Sequence, residues 1–191
     1  MKIIRTDYLN PAFQELVAEL NTDLANRDGK DHPLSQFNEI THLKHVVVVY
    51  LKNKAVGCGA IAKYDLSATE IKRMYVTPSH RGQQLGEKIL SELENWTKEL
   101  GLSKCILFMG VNQPEAMKLY LRNNFSVIEN YGKLKDITDK NLLRLLKKTT
   151  PSPSIQNIED FYTGDFRNKG NIEFFGDKHP NYSWDKNCDH L

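Results

Sequence analysis

Three strand-like runs follow one another closely between residues 44 and 76, and their spacing limits this chain more than any other feature. Residues 44–51 carry the run Val46, Val47, Val48, Val49. Residues 55–63 are small and apolar, with Gly57, Cys58, Gly59 and Ala60 at their centre. Residues 69–76 hold Ile71, Met74, Tyr75 and Val76 among charged neighbours. Asn53 and Lys54 can make a tight turn, and connections this short join antiparallel neighbours. The next strand-like run, residues 104–109, comes only after a long amphipathic stretch that begins near Gly86. Leu85, Ile89, Leu90, Leu93, Trp96 and Leu100 line one side of it, and Gly101 ends it. A strand, a crossover helix and another strand in one sheet run parallel and right-handed. The spacing therefore predicts an α/β (α+β) fold: a mixed, mainly antiparallel sheet flanked by helices on both faces.

The flanking segments extend this pattern. Residues 2–6 read as a short strand. A helix follows from Pro11, with Asn10 as N-cap and with Phe13, Leu16, Val17, Leu20 and Leu24 on one face. Residues 27–31 form a polar break, and a weaker helix is expected over residues 33–40. Pro114 opens another helix that runs to Asn123, and residues 125–128 read as a further strand. From about Asp136 the character changes. Residues 141–148 read as a short amphipathic helix, and residues 151–154, Pro-Ser-Pro-Ser, as a linker. Beyond them Phe161, Tyr162, Phe166, Phe174, Phe175, Tyr182 and Trp184 are spread among Gly, Asn and Asp. The expected division is a domain over residues 1–135 and a C-terminal extension over residues 136–191.

Composition removes several classes of function. Of the 191 residues, 40% are hydrophobic, enough for a core and too many for wholesale disorder. The 26 Lys and Arg nearly balance the 24 Asp and Glu, so no nucleic-acid partner is expected. The densest apolar run, residues 46–51, is too short to cross a bilayer, and charge at Lys2 and Arg5 interrupts any signal-peptide core. No membrane partner is expected. Three widely spaced cysteines point to a reducing, cytoplasmic setting. Cys58 and Cys105 sit inside apolar strands as small core residues. His179, Cys188 and His190 match no zinc spacing, so no metal is expected. Lys147 and Lys148 read as a solvated face.

Chemistry concentrates in residues 75–87. A strand ends at Val76 and Pro78 breaks it. A loop with Arg81, Gly82, Gln83 and Gln84 then feeds a helix start at Leu85, Gly86 and Glu87. The first turn of a helix offers unpaired N–H groups and partial positive charge. Glycine lets the backbone approach a ligand, and Arg81 adds a cationic fork for phosphate oxygens. Together they can cradle a pyrophosphate. An ordinary strand-to-helix loop with a solvated arginine fits the same residues, since neither G-x-G-x-x-G nor a P-loop is present.

Residues 70–76 (Glu-Ile-Lys-Arg-Met-Tyr-Val) followed by residues 81–86 (Arg-Gly-Gln-Gln-Leu-Gly) resemble the acetyl-CoA-binding segment of the GNAT superfamily of N-acetyltransferases. Residues 112–120, then Asn124 and Phe125, are similar to that family's next segment, N-x-x-A-x-x-L-Y-x-x-x-G-F. The element order also agrees from residue 2 to about 131. Gln84 stands where the family has an inner glycine, and Asn124 where a glycine usually precedes Phe125; asparagine tolerates a left-handed backbone. The family's final strand is not recognisable after Tyr131, and residues 172–175 are a candidate substitute.

The resemblance implies acetyl-CoA as co-substrate and a primary amine as acceptor, attacking the thioester directly. It implies a general base at Glu70 acting through water, where the alternative is a strand glutamate paired with Lys72 or Arg73. It implies that the backbone of Met74, Tyr75 and Val76 binds the pantetheine arm, one N–H polarising the thioester carbonyl, where the alternative is ordinary sheet pairing. Arg81, Gly82, Gln83, Gln84, Leu85, Gly86 and Glu87 would hold the diphosphate. Tyr120 resembles the general acid, against a plain packing role beside Met117 and Leu121. The Asn112 amide would bond the cofactor or else cap a helix. The acceptor would enter between residues 11–40 and the strands after Phe125. A small molecule or a protein amine fits equally, and a homodimer is compatible with the sequence. The competing functions are a non-catalytic CoA-binding regulatory or interaction module, and a protein whose tail fills the acceptor cleft.

Overall fold

A computed structural model describes residues 1–29, 39–129 and 142–149. In chain order they form β1 (Lys2–Thr6), α1 (Pro11–Asp28), β2 (His45–Leu51), β3 (Lys54–Lys63), β4 (Ala68–Val76) and a 3₁₀ turn (Pro78–His80). α2 (Leu85–Glu99), β5 (Lys104–Gly110), α3 (Pro114–Arg122), β6 (Ser126–Ile128) and β7 (Leu142–Lys148) follow. The strands make one sheet in the order β1-β2-β3-β4-β5-β7-β6. All neighbours are antiparallel except β4 and β5, the pair joined through α2. The compact unit containing these elements spans Met1–Gln156.

Local chemistry explains the joints. The β2–β3 hairpin closes at Leu51↔Lys54. Its two loop residues, Lys52 and Asn53, have φ of 47° and 64°, the positive values that a twisted two-residue hairpin demands. The turn thus falls one residue earlier than Asn53 and Lys54. α1 begins as expected, with Asn10 Oδ1 accepting the Phe13 N–H at 3.1 Å and Pro11 in the first turn.

The helices cover opposite faces. Phe13, Leu16, Val17 and Leu20 of α1 pack on Val46, Val48, Cys58, Ala60 and Ala62. α2 lies on the other face, where a Cβ on Gly59 would come within 2.7 Å of both Ile89 Cγ2 and Met74 Sδ. Only glycine lets the helix approach β3 so closely. On the same side the His45 and Trp96 rings meet edge to face at 4.7 Å. Arg5 lies 4.7 Å from the centre of the Trp96 ring and pairs with Glu92 and Glu99.

The helix expected over residues 141–148 is instead strand β7. It pairs with β5 from Lys104↔Lys148 to Gly110↔Leu142 and with β6 on its other edge. A short run such as Leu142, Leu143, Leu145, Leu146 fits either period, and here the open edge of β5 decides. Leu145 is fully buried, and Lys147, expected to be solvated, pairs with Glu94 of α2 at 2.7 Å. The sheet's final strand is therefore this segment. The substitute at residues 172–175, the linker, the later aromatics and most of the helix expected over residues 33–40 lie outside the described residues.

Candidate functional site

β4 and β5 begin side by side and then part. Their pairing runs from Ala68↔Lys104 to Glu70↔Ile106 and stops, although β4 continues to Val76 and β5 to Gly110. The divergence starts at a bulge. The β3–β4 register shifts between Cys58 and Ala60, and opposite it Arg73 adopts φ 55°. An extra residue on one strand bends it and raises its twist. The Arg73 guanidinium holds the bend by donating to Asn21 Oδ1 of α1 at 2.9 Å. The gap widens into a cleft of about 870 Å³ walled by the end of α1, residues 71–76, the turn into α2, residues 108–110 and α3.

The head of α2 opens on this cleft. Gln84 occupies its N-cap position with φ 59° and ψ 16°, and its side chain makes no capping hydrogen bond. The first-turn N–H groups lie at the positive end of the helix dipole, and the N-cap side chain takes none of them. Gly82 has φ 77°, and among the described residues nothing lies within 4 Å of where its Cβ would stand. At Gly86 a Cβ would meet Leu119 Cδ2 at 3.3 Å. Its small size serves the close approach of α3 to α2.

A chain of charges crosses the cleft. Arg81 donates from Nε to the Val76 carbonyl at 3.0 Å and from Nη2 to Asp23 Oδ2 at 3.0 Å. Asp23 also accepts from Arg27, which reaches Glu115 of α3. Burial alone would raise the Asp23 pKa. The hydrogen bonds and charges of Arg27 and Arg81 outweigh it and hold the carboxyl below its usual range. Glu87 pairs with Arg122 at 2.7 Å.

Deeper in, Glu70 and Lys72 form an ion pair of 3.1 Å with both side chains only 4% exposed. Glu70 is thus paired with Lys72, one of the two partners expected, but buried rather than exposed. Lys72 Nζ lies 5.4 Å from the centre of the Phe108 ring. Tyr120 packs edge-on against Phe125 at 5.4 Å, and burial pushes its phenol pKa upward. Cys58 and Cys105 are fully buried, and burial raises both thiols.

Of the residues singled out from sequence, Met74, Tyr75, Val76, Arg81, Gly82, Gln84, Leu85, Gly86, Glu87 and Tyr120 line the cleft together. Glu70, Gln83 and Asn112 are not among the residues of its wall, and Glu70 is paired with Lys72, which is. The N-cap position of α3 is Gln113, one residue after Asn112. Sequence reading missed Asp23, Arg27 and Phe108, and named Lys72 only as a partner of Glu70. The i,i+4 spacing of Asp23 and Arg27 and the i,i+2 spacing of Glu70 and Lys72 were the available signals.

Residues 10–125 match the model of the acetyltransferase (GNAT) family. The chain is 32% identical over 132 residues to an IAA acetyltransferase of Azospirillum brasilense, covering 65% of this chain and 83% of that protein. Among solved structures it resembles one from Klebsiella pneumoniae assigned as an acyl-CoA N-acyltransferase. The TM-score is 0.65 and the identity 28%, covering 77% of this chain and 96% of that one. A structure from Elizabethkingia anophelis with acetyl-CoA bound shares the fold with a TM-score of 0.57 at 18% identity, covering 77% and 97% of the two chains.

Proposed function

The chain belongs to the acetyltransferase (GNAT) family, and on that footing we propose that it moves an acetyl group from acetyl-CoA directly to a primary amine. The observation that carries this reading is the head of α2, where the Gln84 side chain makes no capping bond, opening on the gap between β4 and β5. When bound there, acetyl-CoA supplies an acyl group activated as a thioester.

The residues fit such a ligand. The amides of Leu85, Gly86 and Glu87 face the place for a diphosphate, and Arg81 can turn from Asp23 toward its oxygens. The edge of β4 over Met74, Tyr75 and Val76 has lost its β5 partner, so its N–H and C=O groups accept an extended pantetheine arm as they would a strand. One of those N–H groups polarises the thioester carbonyl where negative charge develops. Gln83 and Asn112 are not among the residues lining the cleft and are assigned lesser roles in holding the cofactor.

The acceptor must lose a proton, since a lysine-like amine has a free pKa of about 10.4. Glu70 takes that proton through water, its charge held in reserve by Lys72. Tyr120 gives its proton to the departing sulfur. Burial keeps the phenol protonated at neutral pH, as a donor requires. The C–N bond forms and the C–S bond breaks; the nitrogen sheds its second proton to solvent, Glu70 releases the proton it took, and Tyr120 regains one, so one proton is released per turnover.

Thiol release from acetyl-CoA, followed across a broad screen of primary amines, tests the reading. Turnover with at least one amine is expected. Tyr120→Phe is expected to lower kcat by roughly a hundredfold at an unchanged acetyl-CoA affinity. Arg81→Ala is expected to weaken acetyl-CoA binding by about tenfold in calorimetry. Binding without release for every amine would replace transfer with the non-catalytic CoA-binding reading.

A further inference from the structure

We propose that Phe108, braced by Lys72, is the floor of the donor cleft and limits the transferred group to short acyl chains. This rests on the acetyl-CoA reading and adds the residue that sets the length of the acyl group.

The floor lies where β4 and β5 part. Their last paired residues are Glu70 and Ile106. Side chains on one face of a strand recur every second residue, so the next pair on that face of these two parallel strands is Lys72 and Phe108. The backbones no longer pair there, and the side chains meet instead, with Lys72 Nζ 5.4 Å from the centre of the Phe108 ring. The cleft begins at this contact. Among the described residues its wall starts at Ile71 on β4 and at Phe108 on β5, and no earlier residue of either strand belongs to it. Phe108 is half-buried between the buried Leu107 and Met109.

The direction of the ligand follows from the seating proposed above. The diphosphate lies at the head of α2, and the pantetheine arm runs back along Val76, Tyr75 and Met74. Continuing that way along β4 leads to Lys72, so the acyl group ends at the floor. The thioester oxygen turns to a β4 N–H, which leaves the carbon chain to meet the ring.

The floor is held from every side. Lys72 is tied to Glu70 at 3.1 Å, with both side chains buried. β7 pairs with β5 from Lys104 to Gly110 and fixes that wall. On the other wall Arg73 pins the bend of β4 to Asn21 of α1. A chain longer than the space must therefore displace the ring or separate a buried ion pair, and both are costly. A single methylene in a confined apolar pocket already changes selectivity by about tenfold or more.

Calorimetry with acetyl-CoA, propionyl-CoA, butyryl-CoA and hexanoyl-CoA tests the floor and needs no acceptor. The wild-type chain is expected to bind acetyl-CoA at least about tenfold more tightly than hexanoyl-CoA. In Phe108→Ala that ratio is expected to fall to about one, with Phe108→Leu between the two. Because the readout compares two thioesters on one preparation, a loss of folded protein does not move it. A wild-type ratio near one, or a ratio undiminished in both variants, overturns the floor and leaves the acetyl-CoA reading standing. Binding of none of the four thioesters overturns that reading and this inference with it.

Discussion

Outside the β2–β3 hairpin, three described side chains sit on backbone turned the left-handed way, each for a different reason. Asn124, at φ 65°, lets the chain leave α3 and enter β6, and asparagine is the residue after glycine best suited to that geometry. Gln84, at φ 59°, aims the first amides of α2 into the cleft. Arg73, at φ 55°, makes the bulge that separates β4 from β5. Asn124 was legible, because the family resemblance puts a glycine there and asparagine tolerates a left-handed backbone; Gln84 was noted only as a departure from the family's glycine. Nothing in the identity of Arg73 announces its conformation; the surrounding sheet and the bond to Asn21 impose it. Gln84 therefore carries a local cost that glycine would not. A left-handed non-glycine residue costs about 1–2 kcal/mol, and glycine forfeits about 0.5–1 kcal/mol in unfolded-state entropy. Gln84→Gly is expected to stabilise the chain by about 0.5 kcal/mol, read as a melting temperature higher by about 1–2 °C. A lower melting temperature would show that the Gln84 side chain contributes more than its backbone strain costs.

At the scale of elements, the cleft is crossed by a line of charge from the α2 turn through α1 to α3: Arg81, Asp23, Arg27, Glu115. Arg81 cannot give its full fork to a phosphate while Asp23 holds one arm of it. These side chains are partly exposed, so each link is worth roughly 0.3–1 kcal/mol. Asp23→Asn removes the competing carboxylate and leaves Arg81 in place. Acetyl-CoA is then expected to bind about two- to fivefold more tightly by calorimetry. Weaker binding would mean that Asp23 positions the arginine instead of competing for it. The helices and hairpins that frame this line were readable from their periods, caps and turn lengths. β7 was not. Leucines at 142, 143, 145 and 146 satisfy a helix and a strand equally, and the deciding partners, β5 and β6, lie far away in sequence. The pairing of Glu70 with Lys72 was foreseen as an option because the two alternate on one strand. Its burial depends on the elements that cover the sheet, which no short window contains.

Over the whole molecule, the same two features set stability. β7 fills the place between β5 and β6, so a chain ending at residue 135 leaves both strands with open edges and removes the buried Leu145. That truncation is expected to lose its cooperative thermal transition in circular dichroism, whereas a chain ending at Gln156 keeps it. A cooperative melt from the shorter chain would show that the sheet stands without its last strand. The second feature is His45, packed against Trp96 near Arg5. Burial, with a further contribution from the Arg5 charge, pushes its pKa down to about 3. The folded chain therefore holds His45 neutral, while an unfolded chain binds a proton there below about pH 6.5. The unfolded state carries the extra proton throughout that window, so stability rises with pH across it. The contribution is complete above pH 6.5 and is lost as pH falls toward 3, at up to about 1.4 kcal/mol per unit. Glu99, held low by its hydrogen bond to Arg5 against the opposing effect of burial, adds its own loss only below the ordinary carboxylate range. The interval from pH 6.5 to 5 thus isolates the histidine from that carboxylate. Urea unfolding is expected to show a loss of about 2 kcal/mol between pH 7 and pH 5 in the wild-type chain. His45→Gln is expected to flatten that slope even if it lowers stability at both values, and an undiminished slope would assign the proton uptake to another group.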